Sequence, residues 1–311
     1  MIDVVDIIIP IYNTYDFIGE TLDSILKQTY INKIKVYIID DCSEEKNIDV
    51  LRQYFDKIDI TLFELEENRG PGFCRQYGME CSGSEYIIFI DSDDCFLEED
   101  GVEKMVQAME KNDYNTLSAI FTEDKCGKRN SYYVGYDVIH AKVYKRKFIE
   151  ENNICFPFYY NSEDVAFNNL VILFTDNIGQ IDSNVYLYRR REKSLTDNSN
   201  YDEDKHIYFY CKNLIYVIEQ AEKQKIDRKR LSVLLRNSYC YFMWHFNVEM
   251  TMDYSAIHYI FDLIPYYNKY EEYYDDTIGN HWLKYWIEVI NSNHLEDDFL
   301  KFIDFCKTSS L

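Results

Sequence analysis

Glycine and proline are scarce in this 311-residue chain, with 10 and 4 copies, which leaves few places for linkers and excludes a collagen-like or low-complexity protein. No apolar run approaches the roughly 18 to 20 residues of a membrane-spanning helix. Met1-Ile2-Asp3 leads straight into a β-branched run without the basic start of a secretory signal, so no integral membrane segment and no export are expected. Basic residues are also in deficit: 33 Lys and Arg stand against 55 Asp and Glu, a net charge of −22. That balance excludes a duplex nucleic-acid surface and an electrostatic hold on anionic lipid, while leaving room for a nucleotide bound through a metal. The nine cysteines, spread from Cys42 to Cys306, are odd in number and include no C-x-x-C pair. Neither a disulfide framework nor a zinc site is expected, and a reducing cytoplasm is the compartment that fits. What abounds is aromatic, with 30 Tyr and 19 Phe, enough for a sizeable core in one large domain plus a smaller one.

The chain is organised around Glu85-Tyr86-Ile87-Ile88-Phe89-Ile90-Asp91-Ser92-Asp93-Asp94. The β-branched and aromatic run reads as a strand buried on both faces, and the acid cluster follows at its C-terminal end, where open α/β sheets bind ligands. Asp91, Asp93 and Asp94 repel one another unless a cation or a row of donors neutralises them. A divalent ion, Mn2+ or Mg2+, answers that need, held by one or two carboxylates plus substrate phosphates. A solvated turn capping the next helix is the plainer reading.

Three strand-like runs precede this one. Residues 4–10 end in a proline before Phe17, Leu22, Ile25 and Leu26 recur at helical spacing. Residues 35–39 end in Asp40-Asp41-Cys42-Ser43, with Ser43 as N-cap of a helix over 44–55, and residues 60–65 precede a helix reaching Cys81. Continuous apolar strands alternating with helices predict βαβ units and a mostly parallel α/β sheet with helices on both faces. A helix over 98–111 and strands over 117–122, 132–138 and 185–188 follow. Between the last two strands, Asn161-Ser162-Glu163-Asp164 places an acid pair in the first turn of a helix capped by Ser162, where the helix dipole alone would favour acids. Arg189-Arg190-Arg191-Glu192-Lys193 sets four cations in five residues, either a solvated turn or an anion-contacting loop. From residue 201 the pattern is helical, over 207–224, 230–249, 255–267, 281–290 and 297–305. Residues 1–200 hold 37 acidic and 21 basic side chains against 18 and 12 beyond, so the acidity gathers around the acid cluster. The expected division is an α/β domain over 1–200 and a helical domain over 201–311.

Several nucleotide and metal motifs are excluded. Gly70-Pro71-Gly72 starts a dinucleotide fingerprint, but Arg75 stands at its third glycine and it follows the third strand; no G-K-[ST] of a P-loop occurs. A calcium loop starting at Asp91 would have Cys95 and Phe96 where an oxygen ligand and the turn glycine belong.

Taken in order, Ile9-Pro10-Ile11-Tyr12-Asn13, Asp40-Asp41-Cys42-Ser43, Asn68-Arg69-Gly70 through Arg75 and Gly78, the stretch 86–94, Glu163-Asp164, and Tyr188-Arg189 through Ser194 and Thr196 resemble the family 2 glycosyltransferases of GT-A fold, a Rossmann-like α/β fold. The resemblance covers about residues 4–196. It departs at Arg75-Gln76, where the family often has Arg-Asn, and at Pro71-Gly72, where a small or polar pair is usual.

The resemblance implies an inverting hexosyltransferase-class enzyme that moves a sugar from a nucleotide-diphosphate donor, a UDP-sugar most commonly, to a saccharide, lipid-linked or protein acceptor. It places Pro10, Tyr12, Asn13, Asp40 and Asp41 at the base and ribose, Arg75 at the diphosphate, and Asp93 on the metal. Asp91 would reach the ribose or the metal, with Ser92 and Arg189 in the same donor-binding set. Glu163-Asp164 would supply the general base, Asp164 foremost, and the loop over 189–196 would fold across the phosphates to exclude water. The helical region has no counterpart in the resemblance; its aromatic clusters at 239–244 and 266–267 suit acceptor selection or a homo-oligomer interface. Two other readings stand beside this one. A nucleotidyltransferase would need a Gly-rich, basic loop after the first strand, which is missing, and a catalytically silent binding module would have no need of the acids, all of which are present.

Overall fold

The computed structural model describes residues 4–135, 138–159, 161–191, 203–235, 237–238 and 262–270. Two compact units divide the chain, Met1–Tyr201 and Asp202–Leu311. The first opens with β1 (Val5–Ile11), α1 (Tyr15–Leu26), β2 (Ile34–Asp40), α2 (Ile48–Arg52), β3 (Asp59–Glu64), α3 (Pro71–Cys81) and β4 (Tyr86–Phe89). β1 pairs in parallel with β2 and β4, and β2 with β3. Alternate residues of these strands serve opposite faces. Ile7, Ile9 and Ile11 join Ile18, Leu22 and Ile25 of α1 in one core cluster. Phe89 lies on the other face, with the Phe156 and Phe167 rings 5.3 and 5.9 Å away. Burying each such side chain is worth about 1.5–3 kcal/mol, which is why the strands carry unbroken apolar runs.

Past β4 the sheet becomes mixed. β5 (Cys95–Phe96), α4 (Gly101–Asn112), β6 (Thr116–Lys125), β7 (Lys128–Tyr133), β8 (Lys142–Lys145), α5 (Arg146–Glu151), α6 (Glu163–Phe174) and β9 (Ile178–Arg190) follow. β8 runs antiparallel to both β4 and β6, β6 runs parallel to β9 and antiparallel to β7, and β5 is antiparallel to β9. The nine strands take the order β3-β2-β1-β4-β8-β6-β9-β5, with β7 beside β6. The parallel arrangement expected from the sequence is thus that of the first four strands. β8 is four residues, too short for a periodicity to announce its direction.

Two local expectations need correction. Ser43 does not cap a helix over 44–55, because α2 begins at Ile48 behind Asn47. The Ser43 amide donates to Asp40 Oδ1 at 3.0 Å, and its hydroxyl accepts from the Asn13 amide at 3.0 Å. The strand expected over 132–138 ends at Tyr133.

In the second unit α7 (Glu203–Lys223) buries Ile207, Cys211, Leu214, Ile218 and Ala221, a three-and-four spacing that makes one apolar face. Leu231, Leu235, Leu263 and Tyr270 are buried as well. The Tyr270 hydroxyl and Lys269 Nζ donate to Glu222 at 2.5 and 2.7 Å. The aromatic cluster at 239–244 and the helices expected over 281–290 and 297–305 lie outside the described residues. No described helix is long and apolar enough to cross a membrane.

Candidate active site

Register places the C-terminal ends of β1, β2 and β4 side by side, with Ile11 opposite Asp40 and Ile8 opposite Phe89. The loops after these strands therefore meet. Pro10 is half-buried and Tyr12 exposed. Asn13 adopts φ +53°, and its Oδ1 accepts from the Glu44 amide at 2.9 Å. A cavity of about 440 Å³ opens here, lined by Asn13, Tyr15, Asp16, Glu44, Glu45, Lys46 and Asn47. Asp40 and Asp41 are not on its wall. Asp40 is fully buried, accepting from the Tyr15 hydroxyl at 3.2 Å and pairing with Lys46 Nζ at 2.9 Å. Asp41 accepts from the amides of Arg69 and Gly70 at 2.7 and 2.8 Å. Gly70 stands at φ +84°, a backbone that a side chain would strain.

The acid cluster turns tightly after β4, the Asp94 amide donating to the Asp91 carbonyl at 3.0 Å. Ser92 is buried, its hydroxyl 2.6 Å from that of Thr14, and the Thr21 hydroxyl reaches the Ser92 and Asp94 carbonyls at 2.9 and 2.7 Å. These bonds fasten the cluster to α1. Asp94 is also buried and receives the Tyr186 hydroxyl at 2.7 Å and the Arg189 amide at 2.9 Å. Burial, reinforced by the charges of Asp91 and Asp93, holds its carboxyl well above the usual carboxylate range. Asp91 and Asp93 meet arginines instead. Asp91 Oδ1 pairs with Arg75 Nη2 at 2.7 Å, and Asp93 Oδ2 pairs with Arg191 Nε.

Arg75 joins this cluster to the acid pair. Its side chain is 6% exposed, and Nη1 lies 2.5 Å from Glu163 Oε1. Gly72 makes the approach of α3 to α6 possible, since a Cβ there would come within 2.5 Å of the Pro157 carbonyl and 2.9 Å of Glu163 Cγ. Ser162 takes the N-cap position of α6 with φ +61° and no side-chain cap bond; its hydroxyl instead donates to Asn161 Oδ1 at 3.2 Å. The acid pair is therefore held by more than the helix dipole. Among the described residues no arginine pairs with Asp164, whose carboxyl accepts only from the Val165 amide at 2.9 Å. It keeps some surface open, yet lost hydration, and then the charge of Glu163, push its pKa up to about 7 against the pull of Arg75.

This set suits proton acceptance near neutral pH beside a site for a charged leaving group. A divalent ion fits the donors as well: Asp91 and Asp93 present hard oxygens, whereas Asp94 has both oxygens bonded to protein donors. Among the described residues no three His, Cys, Asp or Glu form a cage.

Some contributors were not legible in sequence. Glu20 pairs with Arg189 Nη1 at 2.5 Å, and Arg189 Nε donates to the Asp93 carbonyl. His140 stacks on Tyr186 and Tyr188 with centroids 5.2 and 5.5 Å apart, and burial lowers its pKa to about 4, so it is neutral at pH 7. A lone histidine on an apolar stretch carries no signal for this. Of the cationic loop, Arg190 pairs with Glu123 and Arg191 with Asp93; residues 192–196 lie outside the described residues.

The chain is 24% identical over 266 residues to the poly(ribitol-phosphate) beta-N-acetylglucosaminyltransferase TarS of Staphylococcus aureus, covering 80% of this chain and 45% of that protein. Against the poly(ribitol-phosphate) beta-glucosyltransferase of Bacillus spizizenii it is again 24% identical over 266 residues, covering 80% and 42%. It thus spans under half the length of these relatives. The crystal structure of S. aureus TarS 1–349 in complex with UDP-GlcNAc matches with a TM-score of 0.77 at 17% identity, over 98% of this chain and 90% of that one. The mannosyltransferase PcManGT of Pyrobaculum calidifontis, in complex with GDP-Man and Mn2+, matches at 0.57 and 13% identity, over 98% and 85%. The shared fold is GT-A. The model of glycosyl transferase family 2 matches residues 6–164, just over half of the chain. That match runs from β1 through the acid cluster to Asp164, and the chain belongs to glycosyl transferase family 2.

Proposed function

We propose that the chain is an inverting glycosyltransferase that moves a sugar from a UDP-linked donor to an acceptor hydroxyl in one displacement, with Asp164 as general base. The observation that carries this reading is the Asp164 carboxyl, poised near pH 7 one residue from Glu163, which Arg75 ties to Asp91. A base works best when its pKa lies near the operating pH. Glu163 is committed to Arg75, which leaves Asp164 to take the acceptor proton. Arg75 itself fixes the base side of the site relative to the strand end. Pro10, Tyr12 and Asn13 offer their loop and the adjoining cavity to base and ribose. Asp40, Asp41 and Ser92 hold the loops in shape, and Arg189 stands toward the phosphates.

A UDP donor is supported by the complexes of TarS with UDP-GlcNAc and UDP, and metal assistance by the Mn2+ in PcManGT. Asp93 and Asp91 would hold the ion, Mn2+ or Mg2+, which neutralises charge growing on the leaving diphosphate. Residues 1–200 would form the catalytic domain, and 201–311 would select a saccharide, lipid-linked or protein acceptor or join copies of the chain, in the cytoplasm. The test is a panel of nucleotide sugars with Mn2+ or EDTA, following slow donor hydrolysis by NMR. Hydrolysis of UDP-sugars that stops in EDTA, with the inverted anomer formed first, is the expected result. A retained anomer would overturn inversion, and undiminished turnover in EDTA would overturn metal assistance.

A further inference from the structure

The two arginines closing β9 on the acid cluster are held differently. Arg189 is pinned: its amide donates to Asp94 Oδ1, its Nε to the Asp93 carbonyl and its Nη1 to Glu20. Arg191, two residues on and past the end of the strand, has one ion pair among the described residues, to Asp93 Oδ2, and its guanidinium carbon lies 4.9 Å from the Phe17 ring centroid. Its side chain is 25% exposed and that of Asp93 17%. Arg190 is occupied elsewhere, by Glu123.

We propose that Arg191 is a partner-switching cation, neutralising Asp93 before the donor arrives and passing to the donor's diphosphate when a divalent ion takes Asp93. Metal and nucleotide then bind as a coupled pair. This inference rests on the glycosyltransferase reading given above.

Arg75 is shared between Asp91 and Glu163, and Arg189 is matched by Glu20, so Asp93 and Arg191 form a neutral pair of their own. A dication on Asp93 would sit within a few ångströms of a guanidinium on the same carboxylate, and like charges at that range repel strongly in a partly buried site. Metal alone is therefore disfavoured. A nucleoside diphosphate changes the sum, because its oxygens accept both the metal and the forked donors of a guanidinium. The Phe17 face stabilises the guanidinium close to the phosphates after it leaves Asp93. Arg189 Nη2, buried and without a partner among the described residues, gives the same phosphates a second donor. Such coupling is reciprocal: if Arg191 opposes metal without nucleotide, metal and nucleotide raise each other's affinity.

The experiment measures bound Mn2+ by electron paramagnetic resonance, with and without UDP, and UDP affinity in EDTA by calorimetry. Wild type, Arg191→Ala, Arg191→Lys and Asp93→Ala are compared, with circular dichroism to verify folding. Arg191→Ala should bind Mn2+ alone about tenfold tighter than wild type and UDP in EDTA about tenfold weaker, within the range usual for coupled sites. Arg191→Lys, which keeps the charge without the fork, should restore the opposition to Mn2+ but not the full UDP affinity. Unchanged or weaker binding of Mn2+ alone in Arg191→Ala, while wild type still takes up Mn2+ with UDP, overturns the role of Arg191 and spares the metal reading. No Mn2+ uptake by wild type with UDP, matching Asp93→Ala, overturns both.

Discussion

Asp6 lies on β1, Asp41 directly follows β2, and Asp91 and Asp93 follow β4, yet their partners separate these four aspartates. Asp6 is met by the Gly83 and Ser84 amides, the Ser84 hydroxyl and Arg146, and Asp41 by the amides of Arg69 and Gly70. Asp91 and Asp93 are met by arginine side chains. Backbone amides cannot leave, so a carboxylate satisfied by them becomes scaffold. A guanidinium can rotate away or exchange its acid for a phosphate, so a carboxylate satisfied by one stays available to a ligand. Asp164 is the least partnered extreme: among the described residues its carboxyl accepts only from the amide of its own neighbour.

Asp164→Asn tests that extreme. The transfer rate should fall about 10²- to 10⁴-fold while UDP affinity holds; a rate within about threefold of wild type removes Asp164 from the mechanism. The pH dependence follows from the same carboxyl. As the base must be ionised, kcat/KM of the wild type should rise through about pH 7 and then level off. For stability the sign is opposite. The folded pKa lies above the unfolded one, so the native state binds more protons between the two values and this group's contribution is lost as pH rises through about 7. Asp164→Asn should accordingly gain more thermal stability over wild type at pH 8 than at pH 5.

Arg75→Met breaks the tie between the two acid groups. With Glu163 left buried and unpaired, the loss should be about 3–5 kcal/mol in chemical denaturation. A loss below about 1 kcal/mol would mean that the pair behaves as an exposed one. The smallest of these effects belongs to the scaffold class: Asp41→Ala strands the buried Gly70 amide and the partly buried Arg69 amide and should cost about 1–3 kcal/mol, with the inflection in kcat/KM kept near pH 7. A shifted inflection would show that Asp41 acts on the base, and the division between the two kinds of carboxylate would fail.

The sequence alone determined the elements that are buried from end to end. The apolar run at 86–90 reads as a strand, and the acids that follow must then fall at its C-terminal end; β1 and β2 are legible for the same reason, that local pattern dictates burial. The acid pair at 163–164 was readable as the first turn of a helix. What these carboxylates do was not readable, because it depends on partners remote in the chain. Arg191 reaches Asp93 across 98 residues and Arg75 reaches Glu163 across 88. Ser43 was assigned to a cap by its type, and Asp40 and Asn13 claimed it instead. The antiparallel course of β8 and the placing of His140 against Tyr186 likewise came from packing. Periodicity fixes which residues leave water, but a carboxylate's charge state and freedom depend on which donors the folded chain brings to it, and only the tertiary structure decides that.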